Sequence, residues 1–127
     1  MKVAIIGGTH GNEPVGIQVI RSLEKQKPIG CLHEYKTFLG NPKAYELQKR
    51  FVDSDLNRAF GKNGKPQGYE KERSQEIEKQ IQGKFDLTID LHTTTTNMGL
   101  TAILNNTHPL TRKVCSYLRS VNPNIKL

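Results

Sequence analysis

The sequence predicts an α/β fold, a mostly parallel sheet flanked by helices, and three observations predict it. Short apolar runs of strand length alternate with longer stretches of helical period. Turns rich in glycine or marked by proline separate them. Two of the apolar runs, Val3–Ile6 and Phe85–Leu91, lead straight into ligand-type side chains. If those two strands are parallel neighbours, their carboxyl ends share one edge, where open α/β sheets bind ligands.

Val3–Ile6 is a compact strand closed by Gly7-Gly8. Pro14 suits the first position of a helix, where its missing N–H costs nothing. Val15, Val19 and Leu23 recur at helical spacing and are expected to face a core. Glu34–Leu39 reads as a strand ending at Gly40-Asn41-Pro42, and Pro42–Lys49 as a short helix. Arg50–Arg58 has neither period and reads as a loop; Gly61–Gly68 is a second loop, a lid or a connector, by its Gly and Pro content. Glu70–Gln82 is a polar helix with Ile77 and Ile81 on one stripe, stopped by Gly83. After the Phe85–Leu91 strand, Thr93–Thr96 reads as a turn whose hydroxyls bond nearby backbone. Leu100–Leu104 is expected to be a strand, and Pro109–Arg119 a helix with Leu110, Val114 and Leu118 at i, i+4 and i+8.

The chemistry concentrates in Gly7-Gly8-Thr9-His10-Gly11-Asn12-Glu13 and Asp90-Leu91-His92. Two imidazoles and one carboxylate, with a fourth position open, form the ligand set of a hydrolytic zinc site; a structural site would close all four positions. His10 and Glu13 come from one strand-to-helix turn, and His92 from the end of another strand. Asp90 is placed to orient His92, as metal-bound histidines require. Taken singly, a histidine in a turn is more often a hydrogen-bonding residue than a ligand. Arg50, Asp53, Asp55, Asn57 and Arg58 form a second cluster: arginine forks bind carboxylates in bidentate fashion, with Asn57 beside them. A solvated loop with local salt bridges is the other reading of that segment.

Composition narrows the classes. The chain of 127 residues suits one domain with one core, and 35% hydrophobic content is low for it. The net charge of +7 is spread over dispersed lysines with no binding module, which argues against nucleic acid and suits small anions. No apolar run reaches membrane-spanning length, and the N-terminus enters a strand without a signal-peptide pattern. Cys31 and Cys115 have no metal-type spacing, so reduced thiols and a cytoplasmic location are expected.

His10-Gly11-Asn12-Glu13, Asp53-Ser54-Asp55-Leu56-Asn57-Arg58 and the segment Asp90 to Gly99 together resemble the aspartoacylase family, in its order and at similar separations across nearly the whole chain. These enzymes deacylate N-acyl amino acids and belong to the zinc carboxypeptidase-like hydrolases. The resemblance implies that fold, and one Zn2+ per chain on His10, Glu13 and His92. It implies that Arg50 binds substrate, polarises the scissile carbonyl and stabilises the oxyanion. Asn57 and Arg58 would hold the substrate carboxylate, and Asp55 would support the site. The implied partner is a small anionic N-acyl amino acid resembling N-acetylaspartate; homo-oligomerisation stays open. The family's general base is a downstream glutamate in a Gly-x-Glu-x-Gly-Pro-like segment, yet no Glu follows Glu78 here. Residues 1–127 are therefore expected to be the truncated N-terminal part of a zinc-dependent amidohydrolase catalytic domain, inactive or weakly active alone. The rival reading is a non-catalytic metal- or anion-binding domain, or an assembly fragment, with the same ligands and no base.

Overall fold

The computed structural model describes residues 1–26, 34–61, 63–94 and 98–127. Cys31, Lys62 of the second loop, and Thr95, Thr96 and Asn97 of the threonine-rich turn lie outside the described residues. The chain forms two compact units, residues 1–93 and 94–127.

The first unit is built on a three-stranded parallel sheet of β1 (Lys2–Gly7), β2 (Glu34–Leu39) and β3 (Leu87–Leu91) in the order β2-β1-β3. The α/β class is therefore observed. α1 (Pro14–Lys25) connects β1 to β2, and α2 (Pro42–Glu46), a 3-10 turn (Leu56–Arg58) and α3 (Gly68–Ile81) connect β2 to β3. Because successive strand side chains alternate, β1 sends Ala4 and Ile6 to one face. There they pack with Phe38, Leu56, Ala59 and Ile77, against which Ile81 and Phe85 also lie. α1 covers the other face. Register pairs Gly7 with Leu91, so β1 and β3 end level and release His10 and His92 at the same edge.

α1 buries Gly16, Ile17 and Ile20, whereas Val15 and Val19 are 52% and 40% exposed. The expected core stripe was thus one residue out of phase. The cause is a backbone crossing: a Cβ on Gly7 would collide with the Gly16 carbonyl, and one on Gly16 would lie 2.6 Å from the Leu91 carbonyl oxygen. Only glycines allow this approach, and it rotates the helix so that Gly16 rather than Val15 faces the sheet. α2 is shorter than expected, because Gln48 takes a left-handed conformation (φ 52°) and turns the chain out of the helix.

In the second unit, α4 (Pro109–Val121) buries Cys115 between the half-buried Leu110, Val114 and Leu118. The expected Leu100–Leu104 strand is reduced to a parallel bridge between Thr101 and Lys126. Among the described residues two backbone hydrogen bonds secure it, Ala102 N–H to Lys126 O and Lys126 N–H to Leu100 O. Among the described residues no helix is long and apolar enough to cross a membrane.

Candidate metal centre

The turn after β1 folds back on itself, with Glu13 N–H donating to His10 O at 3.1 Å, and Pro14 opens α1. Glu13 occupies the N-cap position but makes no side-chain cap. Its carboxylate turns inward to the histidines instead. Gly11 lies against the Ala44 backbone where a Cβ would collide, and its N–H donates to Arg50 O at 3.2 Å. The turn carrying His10 is in this way stitched to the loop that begins at Arg50.

Glu13 bridges both imidazoles. Its Oε1 lies 2.7 Å from His10 Nδ1, and its Oε2 lies 3.2 Å from His92 Nδ1 and accepts the Thr93 N–H at 2.8 Å. Each remaining ring nitrogen faces a different carboxylate: His10 Nε2 lies 3.0 Å from Asp55 Oδ1, and His92 Nε2 lies 2.8 Å from Asp90 Oδ2. Thr9 donates its hydroxyl to both Asp90 oxygens, at 2.9 and 3.0 Å. His10 and Glu13 are buried and His92 is exposed, so the cluster opens to solvent on its His92 side.

Charge decides what this arrangement accepts. Three carboxylates surround two imidazoles. A neutral imidazole donates from one nitrogen only, so a ring whose Nε2–H goes to an aspartate turns an Nδ1 lone pair toward the Glu13 carboxylate. Such a cluster calls for cationic charge at its centre, as protons or as a metal ion. One donor atom from each of His10, Glu13 and His92 lies within 4.8 Å of the other two, a group that could hold a metal. The donors are of the zinc type, and both Nε2 atoms already have the carboxylate partners that metal-bound histidines use. The residues fit the ion. The hydrogen bond to Asp90 raises the His92 pKa above its ordinary value against the opposing effect of burial, and the charges of Asp90 and Glu13 add to the rise. Burial pushes Asp55 up, but hydrogen bonds from His10, the Asn57 amide and Arg50 bring it below the ordinary aspartate value.

The second cluster divides. Arg50 Nη2 donates to Asp55 Oδ2 at 3.2 Å, which joins it to His10 through a single carboxylate. Asp55 caps the 3-10 turn through the Asn57 N–H at 2.9 Å, and Leu56 is fully buried. Asn57 and Arg58 are exposed on that turn, and among the described residues no hydrogen bond or ion pair engages the Arg58 guanidinium. Asp53 faces away, accepting the Tyr69 N–H at 2.7 Å. Sequence reasoning passed over two buried residues: Thr9, and Glu70 of α3, which holds the loop leading to Asp55. Thr9 stands next to a candidate ligand, a position that could have drawn notice. For Glu70 the periodicity of apolar residues carries no signal.

Similarity to known proteins extends over nearly the whole chain. The profile of the succinylglutamate desuccinylase/aspartoacylase catalytic domain matches residues 1–127. A probable aspartoacylase of Trichodesmium erythraeum (strain IMS101) is 43% identical over 136 residues, covering 99% of this chain and 46% of its own. N-acyl-aromatic-L-amino acid amidohydrolase (carboxylate-forming) B of Danio rerio is 36% identical, covering 93% of this chain and 43% of its own. The crystal structure of murine aminoacylase 3 superposes with a TM-score of 0.78 at 32% identity, over 97% of this chain and 44% of that one. The chain spans about half the length of the curated relatives it matches. It belongs to the succinylglutamate desuccinylase/aspartoacylase catalytic-domain family.

Proposed function

We propose that residues 1–127 are the zinc-binding part of an amidohydrolase catalytic domain that releases the free amino acid from a small anionic N-acyl amino acid. The observation that carries the reading is the orientation of the imidazoles: both Nδ1 atoms converge on Glu13 while both Nε2 atoms are held by aspartates. His10, Glu13 and His92 would hold one Zn2+. Zinc bound there supplies a polarised carbonyl and a water acidic near neutrality.

The chain's own groups support the site. Asp55 and Asp90 keep the Nε2–H tautomers in place, which leaves both Nδ1 lone pairs for the ion. Arg50, steadied by Asp55, is the donor assigned to the scissile carbonyl and to the oxyanion that develops from it. Asn57 and Arg58 present an amide and a guanidinium fork with no hydrogen bond or ion pair among the described residues, the geometry that grips a carboxylate through two parallel bonds. The relatives' names include both aspartoacylase and an amidohydrolase of N-acyl aromatic amino acids, so the amino-acid side chain stays unassigned. The dispersed charge of +7 favours the approach of an anion, and a cytoplasmic setting fits the reduced thiols expected.

Elemental analysis of the purified chain tests the reading. About one zinc per chain is expected, with clear loss in His10→Ala and His92→Ala. Equal zinc content in all three proteins would overturn it.

A further inference from the structure

Glu70 is fully buried, in a helix whose stripe 70, 74, 77 and 81 faces inward. An ionised side chain in that position needs every lone pair matched. Four donors match it. Oε1 accepts from Val52 N–H at 2.7 Å and Asn41 Nδ2 at 2.9 Å; Oε2 accepts from Asp53 N–H at 2.9 Å and Ser54 N–H at 3.1 Å. Three consecutive amides aimed at one carboxylate form a backbone nest of the kind that binds anions, filled here by the chain's own anion. Burial pushes the Glu70 carboxyl up, but the hydrogen bonds from Val52, Asn41, Asp53 and Ser54 bring it below its ordinary value.

Two loops meet at this carboxylate. The nest ends at Ser54, and the next residue, Asp55, reaches His10 Nε2 and Arg50. On the other side, Asn41 donates its own N–H to Gly8 O at 2.8 Å, inside the turn that carries His10, and caps α2 by accepting the Ala44 N–H at 3.1 Å. We propose that Glu70 is a positioning residue of the metal site: it fixes Val52–Ser54 so that Asp55 holds His10 Nε2 and keeps His10 Nδ1 directed at Glu13. The inference rests on the metal-site reading and adds to it a residue that touches neither ligand nor ion. A glutamine cannot substitute, because in either orientation its NH2 would meet donors, those of Asp53 and Ser54 or those of Val52 and Asn41.

Cobalt(II), followed by its visible absorption, tests this on the full chain as wild type, Glu70→Gln, Asp55→Asn and the double variant. Glu70→Gln is expected to lower cobalt affinity about 10-fold or more, within the range for residues behind a metal ligand. The double variant is expected to bind no more weakly than the weaker single variant, because both changes act through one contact. In the metal-free chain, amide exchange should quicken at Val52–Ser54 and Asn57 and stay unchanged in β1. A folded Glu70→Gln with wild-type cobalt affinity, or losses that multiply in the double variant, would overturn the inference; a purely structural glutamate would lower the melting temperature alone. If Glu70→Gln does not fold, Glu70→Asp keeps the charge but draws it back from the amides. It should bind cobalt with an affinity between wild type and Asp55→Asn, and wild-type affinity there would be equally decisive against the proposal. Equal cobalt uptake by wild type and His10→Ala overturns the metal-site reading and this inference with it, whereas weak His10→Ala beside an unaffected Glu70→Gln overturns this inference alone.

Discussion

An imidazole binds a cation through one nitrogen only if something fixes the proton on the other. In this cluster Asp55 and Asp90 are placed to do so, and Thr9 holds Asp90 in turn. The two levels predict graded effects. Asp90→Asn removes the charge that favours Nε2–H, and zinc affinity, read by competition with a chromophoric chelator, should fall about 10- to 100-fold. Thr9→Val keeps that charge and removes one hydroxyl, so its loss should be smaller. A Thr9→Val defect as large as that of Asp90→Asn would mean that the threonine acts directly on the site. The gathering of His10, Glu13, Asp90 and His92 was legible in the sequence because His10 and His92 follow strands that could end at one sheet edge, with Glu13 in the same turn as His10 and Asp90 two residues before His92. Glu70 was not, since what buries it is a row of amides from a distant loop, and backbone donors leave no trace in composition.

At the scale of elements, α1 shows how a backbone contact overrides a side-chain pattern. Val15, Val19 and Leu23 have an acceptable helical period, yet the Gly7–Gly16 crossing sets the face actually buried. Alanine normally stabilises a helix by about 0.5–1 kcal/mol over glycine, so the sign of one substitution is diagnostic. Gly16→Ala should destabilise the chain by about 1–3 kcal/mol in urea melts, the cost of overpacking, while Val15→Ser should stay within about 0.5 kcal/mol. The reverse order would restore the valine stripe as the core face. β1, by contrast, was readable from its apolar run alone, since a strand between two covered faces needs little more than continuous apolar content; the apolar run Leu100–Leu104, with no sheet to join, forms only a bridge. A second element-scale prediction concerns α3. Glu70 has a folded pKa below its unfolded one, so its stabilising contribution is fully present above the ordinary glutamate value of about 4.3 and is lost as pH falls through the folded value. The stability gap between wild type and Glu70→Gln should therefore be constant near neutrality and shrink as the pH drops below about 4. A gap unchanged at low pH would show that the carboxylate charge contributes nothing.

The whole molecule sets what the site can do by the use it makes of its carboxylates. All acidic residues lie among the described ones, and those near the imidazoles are engaged. Glu13 faces both rings, Asp55 pairs with His10 and Arg50, Asp90 pairs with His92 and Thr9, and Glu70 is sealed under amides. A general base needs a carboxylate free to take a proton from water and pass it to the leaving nitrogen. Asp55 sits next to Arg50 and His10 with its basicity depressed, which suits an orienting role better than proton transfer. Proton transfer of this kind contributes typically 10²–10⁴-fold. The zinc-loaded chain of 127 residues should accordingly release aspartate from N-acetylaspartate at least about 100-fold more slowly than a full-length family member under the same conditions. Added carboxylate or imidazole buffer should raise its rate in proportion to the concentration of the basic form, because a small base can enter on the open His92 side. A rate matching the full-length relative and indifferent to buffer would show that a base operates within these residues, and Asp55→Asn would be the variant to identify it.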